Sequence, residues 1–347
     1  MRYTRPFVAL AAMAFVLSAC GAAASPSADA SEPAESMGAS EAGDPYADWP
    51  DELVMGFVPS REAGQLVDSI DALTGVLAEG LSEESGKEIA VEGTVPSDYT
   101  GLVTAMETGN AHIGAFGPFS LLQARDRAGA EIILQSERFG SSTYHTQFFT
   151  NNPDAFCDDE PVVVDEETGW RNCNGTADAD EGPVAEDKVG TVPEGTTVAF
   201  VEQSSASGYI FPALIFLNNG IDPENDIAPL FANGHDRSVI AVCNDQAEVG
   251  VSFDDARGAA ETTCDLAANV VVFAYGPEIP NDGWAVAGDL PDNLKESIKQ
   301  ILLDYAATEE GAAVLDDLYE ISNLVEADLE AFAIVEDAAE QLGITSD

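Results

Sequence analysis

Between Thr196 and Asn218 the chain passes from an apolar, strand-like stretch through Gln203-Ser204-Ser205-Ala206-Ser207-Gly208 into an apolar, helix-like one. Hydroxyl-bearing and small residues at such a junction have two uses. They cap a helix, a side-chain oxygen taking an unpaired N–H. They also let an oxyanion approach the positive end of the helix, with backbone N–H groups and hydroxyls as donors. Residue types alone favour the cap. Ser205, Ala206 and Ser207 are the candidates for anion contact; Tyr209 reads as a packing residue. Tyr99 and His235, each at the start of a helix-like segment, can donate to an oxyanion, and Asp236 reads as a helix cap beside the histidine. Asp282 and Asp255 are candidates of a different kind. A carboxylate beside an anion requires a proton or an ammonium group between them, supplied by a protonated oxyanion or an amine. Arg61 follows the first strand and reads as a surface residue, and His112 as structural.

These residues need elements to hold them. Glu52–Val58 reads as a strand, and Leu66, Ile70, Leu73, Leu77 and Leu81 recur at helical spacing up to Gly86. Ser97 or Asp98 can cap a second helix, whose apolar face carries Leu102, Val103 and Met106. Ala111–Phe116 is a short strand ended by Gly117-Pro118. The second half repeats this pattern. With an offset of 136 residues, Val103, Met106, Ala111 and Gly114 fall on Val239, Val242, Ala247 and Gly250, and Tyr99 falls on His235. Strands alternating with helices predict an α/β fold with largely parallel sheets. Two similar units predict two lobes facing each other, with helix N-termini lining the cleft. Helical segments are expected at about 292–305, 309–318 and 328–341.

The first residues bear on compartment. Arg2 and Arg5 precede an apolar stretch, Phe7–Leu17, too short to span a bilayer as a helix. Leu17-Ser18-Ala19-Cys20 resembles a bacterial lipobox, which implies a lipidated Cys20 anchoring the chain at the outer face of the cell membrane. Residues 21–50 contain no Leu, Ile, Val or Phe and read as a flexible tether. The expected organisation is a signal segment 1–19, Cys20 and tether to residue 50, one lobe from 51–148 plus 275–347, and a second from 149–274. Within the latter, 151–195 reads as an acidic surface insertion. The chain carries 63 acidic against 13 basic residues. That balance excludes nucleic acid as a partner, and it implies that any anionic ligand is held mainly by local hydrogen bonds. Besides Cys20 there are four cysteines, and sequential pairing, Cys157–Cys173 and Cys243–Cys264, closes the shortest loops. With no CxxC, no HExxH and three histidines, neither a metal nor a cofactor is expected.

From Glu52 to its end the chain resembles the phosphonate-binding family of periplasmic proteins, which serve ABC importers of phosphonate, phosphite or phosphate. Four segments carry the resemblance: SDYTGLVTAMETGNAHIGAFGPFSLLQA (97–124), QSSASGY (203–209), GHDRSVIAVCNDQAEVGVSFDDAR (234–257) and IPNDGWAV (279–286). It implies a two-lobe, type II periplasmic-binding-protein fold, each lobe a mixed sheet flanked by helices. It also implies a monomer that presents a small phosphorus oxyanion to an ABC permease. Tyr144 resembles a second ligand-facing tyrosine of the family. Ala206 departs from the pattern, standing where the family often has a hydroxyl residue, and the insertion 151–195 is outside it. A ligand-sensing lipoprotein of the same fold, presenting to a membrane receptor, is the alternative reading. A Ser/His hydrolase is a remote one, since the chain has no GxSxG.

Overall fold

The computed structural model describes residues 44–178 and 182–346. The signal segment, Cys20 and most of the tether lie outside the described residues. The folded unit begins at Asp44, earlier than the tether reading places it. Trp49 is buried, donates from its ring nitrogen to Asn293 at 3.0 Å, and packs edge-on against Tyr46. Two aromatic rings supply the apolar area that the aliphatic-poor composition lacks.

The first stretch runs β1 (Glu52–Phe57), α1 (Ala63–Ser85), β2 (Ala90–Thr94), α2 (Tyr99–Glu107), β3 (Ile113–Phe116), α3 (Pro118–Ala128) and β4 (Glu131–Glu137). The second opens with β5 (Thr143–Thr150), α4 (Pro153–Phe156) and the two-residue strands β6 (Val162–Val163) and β7 (Arg171–Asn172). It continues through β8 (Thr197–Phe200), α5 (Phe211–Asn218), β9 (Ala228–Phe231), α6 (His235–Cys243), β10 (Val249–Phe253), α7 (Leu266–Asn269) and β11 (Val271–Pro280). The chain then returns with β12 (Gly283–Val286), α8 (Asp292–Ala306), α9 (Glu309–Tyr319), β13 (Asn323–Glu326) and α10 (Ala333–Gln341).

These strands form two sheets, β13-β4-β12-β3-β1-β2 and β6-β7-β11-β5-β10-β8-β9. Each has a parallel part, β2-β1-β3 in one and β10-β8-β9 in the other, extended by antiparallel strands. The sheets are therefore mixed rather than largely parallel. The chain crosses between them at 137–143 and 280–283, so β5 and β11, which the sequence reading divided between the lobes, belong whole to the second sheet. The stretch 151–195 is more than surface: β7 pairs with β11 and β6 with β7, extending that sheet by two strands.

The helices follow their apolar spacing. Leu66, Ile70, Leu73, Leu77 and Leu81 bury one stripe of α1, and Gly86 ends it at φ 69°, a conformation that glycine adopts without strain. Asp98 caps α2, its side chain accepting from the Gly101 N–H at 2.6 Å. A single apolar cluster runs through both halves, from Leu102 and Phe116 to Phe148, Phe200 and Phe273, and α10 packs on both α3 and α5. A second cluster lies between the first sheet and α1, α8 and α9. Disulfides join Cys157 to Cys173 and Cys243 to Cys264. No helix among the described residues is long and apolar enough to cross a membrane.

Candidate functional site

A small cavity lies where the C-terminal ends of the strands in both halves meet the helices that follow them. The first half contributes Arg61 after β1, Tyr99 at the start of α2, the Gly117-Pro118 turn and Arg138 after β4. The second contributes Tyr144, Ser205, Ala206, Ser207, His235 and Asp254, and the returning chain adds Asp282, Tyr319 and Glu320. The space open to the centres of water-sized molecules is about 40 Å³. One water needs roughly 10–15 Å³ on that measure, so the cavity suits a ligand of a few heavy atoms.

The 203–210 loop explains its own sequence. Ser205 accepts from the Gly208 N–H at 3.1 Å through its hydroxyl. Its carbonyl takes the N–H groups of both Tyr209 and Ile210, opening a wide turn that runs on into α5. The N–H groups of Ala206 and Ser207 precede this pattern and have no acceptor within the helix. A Cβ at position 208 would meet Val201 Cβ at 2.4 Å and the Ser205 hydroxyl at 2.7 Å, which requires glycine there. Thr146 donates to the Ser207 carbonyl at 2.6 Å and fixes the loop against β5. Tyr209 packs against Phe200 and Phe231, away from this cavity.

His235 has a defined tautomer. Its Nδ1 lies 2.9 Å from the Ser252 hydroxyl and accepts from the Phe253 backbone N–H at 3.4 Å. A backbone N–H can only donate, so the proton sits on Nε2, which faces the Ser205 hydroxyl at 3.4 Å. Burial, then the charges of Arg61 and Arg138, lower the pKa of His235 to about 3. The ring is a neutral donor at physiological pH.

Burial raises both tyrosines well above the ordinary phenol value, so they act as O–H groups, and Tyr144 is hydrogen-bonded to Ser207. Asp282 is held by Arg138, whose other N–H groups donate to the Tyr319 carbonyl at 2.8 Å and to Asn281 at 2.9 Å. Asp254 accepts from the His145 backbone N–H at 2.8 Å and faces its Nδ1 at 3.2 Å. Asp255 is not part of the cavity lining. It accepts from Gln147 at 3.0 Å and pairs with the wholly buried Arg257. Asp255 caps the short helical turn that follows, accepting from the Arg257 N–H at 3.0 Å, and its neighbour Asp254 lines the cavity instead. Asp236 lies in the first turn of α6 but does not cap it; the cap position is Gly234.

Two residues were misread or missed. Arg61, expected at the surface, lines the cavity with its side chain 11% exposed, 3.7 Å from Glu320. Arg138 carried no local signal; it arrives because β4 ends at the crossing between the sheets. The cavity therefore holds two guanidinium groups, and hydrogen bonds from the loop are not its main source of positive charge.

The halves are joined across the cavity. The His235 N–H donates to the Ser60 carbonyl at 2.9 Å, and the Thr100 and Ser204 hydroxyls meet at 3.2 Å. Glu202, beside the loop, accepts from the N–H groups of Ser204 and Tyr99. Burial, with the nearby charge of Asp98, raises its pKa to about 7.

The chain is 27% identical over 217 residues to the phosphate-import protein PhnD of Mycolicibacterium smegmatis, covering 59% of this chain and 56% of that protein. It is 25% identical over 224 residues to the phosphonates-binding periplasmic protein of Escherichia coli K12, covering 64% of this chain and 58% of that one. In both cases the match spans less than two thirds of the relative's length. The structure of PhnD1 from Prochlorococcus marinus MIT 9301, in complex with methylphosphonate, superposes with a TM-score of 0.65 at 16% identity, covering 85% of this chain and 99% of that one. That likeness establishes the two-lobe, type II periplasmic-binding-protein fold. Residues 55–332 match the family model described as ABC transporter, phosphonate, periplasmic substrate-binding protein, and the chain belongs to that family.

Proposed function

We propose that this protein captures a small phosphorus oxyanion (phosphonate, phosphite or phosphate) outside the cytoplasm and delivers it to an ABC permease. The observation that carries the reading is the convergence, in a cavity of about 40 Å³, of the free N–H groups of Ala206 and Ser207, the Nε2–H of His235 and the Arg61 guanidinium. The names of the two relatives and the methylphosphonate complex of the neighbour support the ligand class. Tyr99, Tyr144 and Ser205 complete the proposed ligand shell, with Asp282 as the partner of an ammonium group where the ligand carries one. The lipobox-like Leu17–Cys20 supports attachment to the membrane through a lipid on Cys20, and the chain is proposed to act as a monomer.

The Ser205–His235 contact does not favour a hydrolase. The Nδ1 of His235 is bonded by Ser252 and the Phe253 N–H rather than by a carboxylate, and a ring with a pKa of about 3 is a poor general base. The test is calorimetric titration with phosphate, phosphite, methylphosphonate and 2-aminoethylphosphonate at one pH and salt. Saturable one-to-one binding of at least one supports the reading. No binding by any of them, in folded protein freed of carried-over ligand, overturns it.

A further inference from the structure

We propose that Arg61 contacts the ligand directly and makes the site select the doubly charged form of its oxyanion. The inference rests on reading the cavity as the oxyanion site. Its starting point is a contrast between the two arginines that line the cavity. Arg138 is committed: its N–H groups bind the Tyr319 carbonyl, Asn281 and Asp282. Arg61 is not. Its Nε is buried and has no hydrogen-bond partner among the described residues. Its one ion-pair contact among them, to Glu320, is 3.7 Å long, beyond hydrogen-bonding reach. A buried arginine N–H without an acceptor costs free energy that an anion in the adjoining cavity removes.

The charged groups around it decide which anion. Glu320 faces Arg61 from the end of α9, and Tyr319 lies beside it; His235 and Asp236 face it from α6. Across the cavity, Asp282 is matched by Arg138, and Asp254 is engaged by His145. Burial pushes the Glu320 carboxyl up, against the pull of Arg61 and Arg138. A monoanionic phosphonate or phosphite carries a P–O–H that needs an acceptor, and the cavity carboxylates are already engaged, Asp282 by Arg138 and Asp254 by His145. The dianion of either needs only donors, and Arg61 has donors to give. The guanidinium fork suits two oxygens of one phosphoryl group, a geometry that lysine cannot match.

The experiment measures Kd for phosphite and for methylphosphonate from about pH 5 to about pH 9, a range containing the second ionisation of a phosphoryl group, which for a phosphate ester lies near pH 6. Wild-type protein is expected to bind up to about tenfold tighter per pH unit below that ionisation and to level off above it. Arg61→Gln is expected to weaken binding at least tenfold at the upper end and to flatten the profile. Glu202 and His145 titrate in both proteins, so the difference between them isolates Arg61. Arg61→Lys is expected to keep the slope with several-fold weaker binding, and it decides the matter if Arg61→Gln fails to fold. An Arg61→Gln profile parallel to wild type, or an Arg61→Lys affinity equal to wild type, overturns the proposal. If neither anion binds the wild type, the oxyanion reading beneath it fails as well.

Discussion

The helix–strand unit α2–β3 of the first half and its counterpart α6–β10 in the second share a scaffold and differ at the entrance. At an offset of 136 residues the helices coincide in length, Tyr99–Glu107 and His235–Cys243, and Val103, Met106, Ala111 and Gly114 are buried like Val239, Val242, Ala247 and Gly250. In each, the first N–H of the helix bonds to the opposite half of the molecule. That of His235 donates to a backbone carbonyl, Ser60, and that of Tyr99 to a carboxylate, Glu202. One tie across the cavity cannot titrate; the other can. The starts also differ in capping, with Asp98 on α2 and no side-chain cap on α6. The comparison teaches that packing positions are repeated for stability, while the entrance residues are free to take up binding or switching.

Changes to groups that only support the scaffold are therefore expected to cost stability and spare affinity, and entrance changes the reverse. The largest effect is expected from Asp255→Ala, which leaves the buried Arg257 without its carboxylate. A loss of about 3 kcal/mol in denaturant unfolding is expected, with oxyanion Kd within about twofold of wild type. An equal loss of affinity would put Asp255 back in the site. His235→Ala is expected to weaken binding by about 30-fold, near 2 kcal/mol, as befits a hydrogen bond to a charged group; calorimetry at fixed pH reads it directly. Asp98→Ala should lower unfolding free energy by about 1 kcal/mol through loss of the α2 cap, where Gly234 offers no equivalent to remove.

The smallest effect sharpens the titrating tie. Glu202 has its folded pKa raised to about 7, so its contribution to stability is fully present below its unfolded value and is lost as pH rises toward 7. Glu202→Gln should remove that dependence. The difference in unfolding midpoint between variant and wild type is expected to grow from low to neutral pH in favour of the variant, and a difference independent of pH would contradict this.

The loop at 203–208, Tyr99 and His235 were legible in the sequence because their signals are local: small and hydroxyl residues at a strand–helix junction, and helix starts matched by an internal repeat. The α1, α2 and α8 boundaries followed from apolar spacing and caps. Edge strands such as β2 and β13 were not legible, since both bury too few apolar residues to alternate. Arg61 was misread because an arginine in a sequence this acidic has many surface acids to pair with. Nothing local says that β1 ends at a cavity. Arg138 and Asp254 depend on where the chain crosses between sheets and on how the turn after β10 is seated, both of which are properties of the assembled topology.

The most direct test of the central claim is calorimetric titration of the wild type and of Ser207→Ala with the tightest-binding phosphorus oxyanion, alongside thermal unfolding of both proteins without ligand. The account predicts one site per chain in the wild type, at least about tenfold weaker binding in the variant through loss of the Ser207 hydroxyl, and unfolding midpoints that nearly coincide. Equal affinity in the two proteins would take that hydroxyl out of the ligand shell and contradict the account.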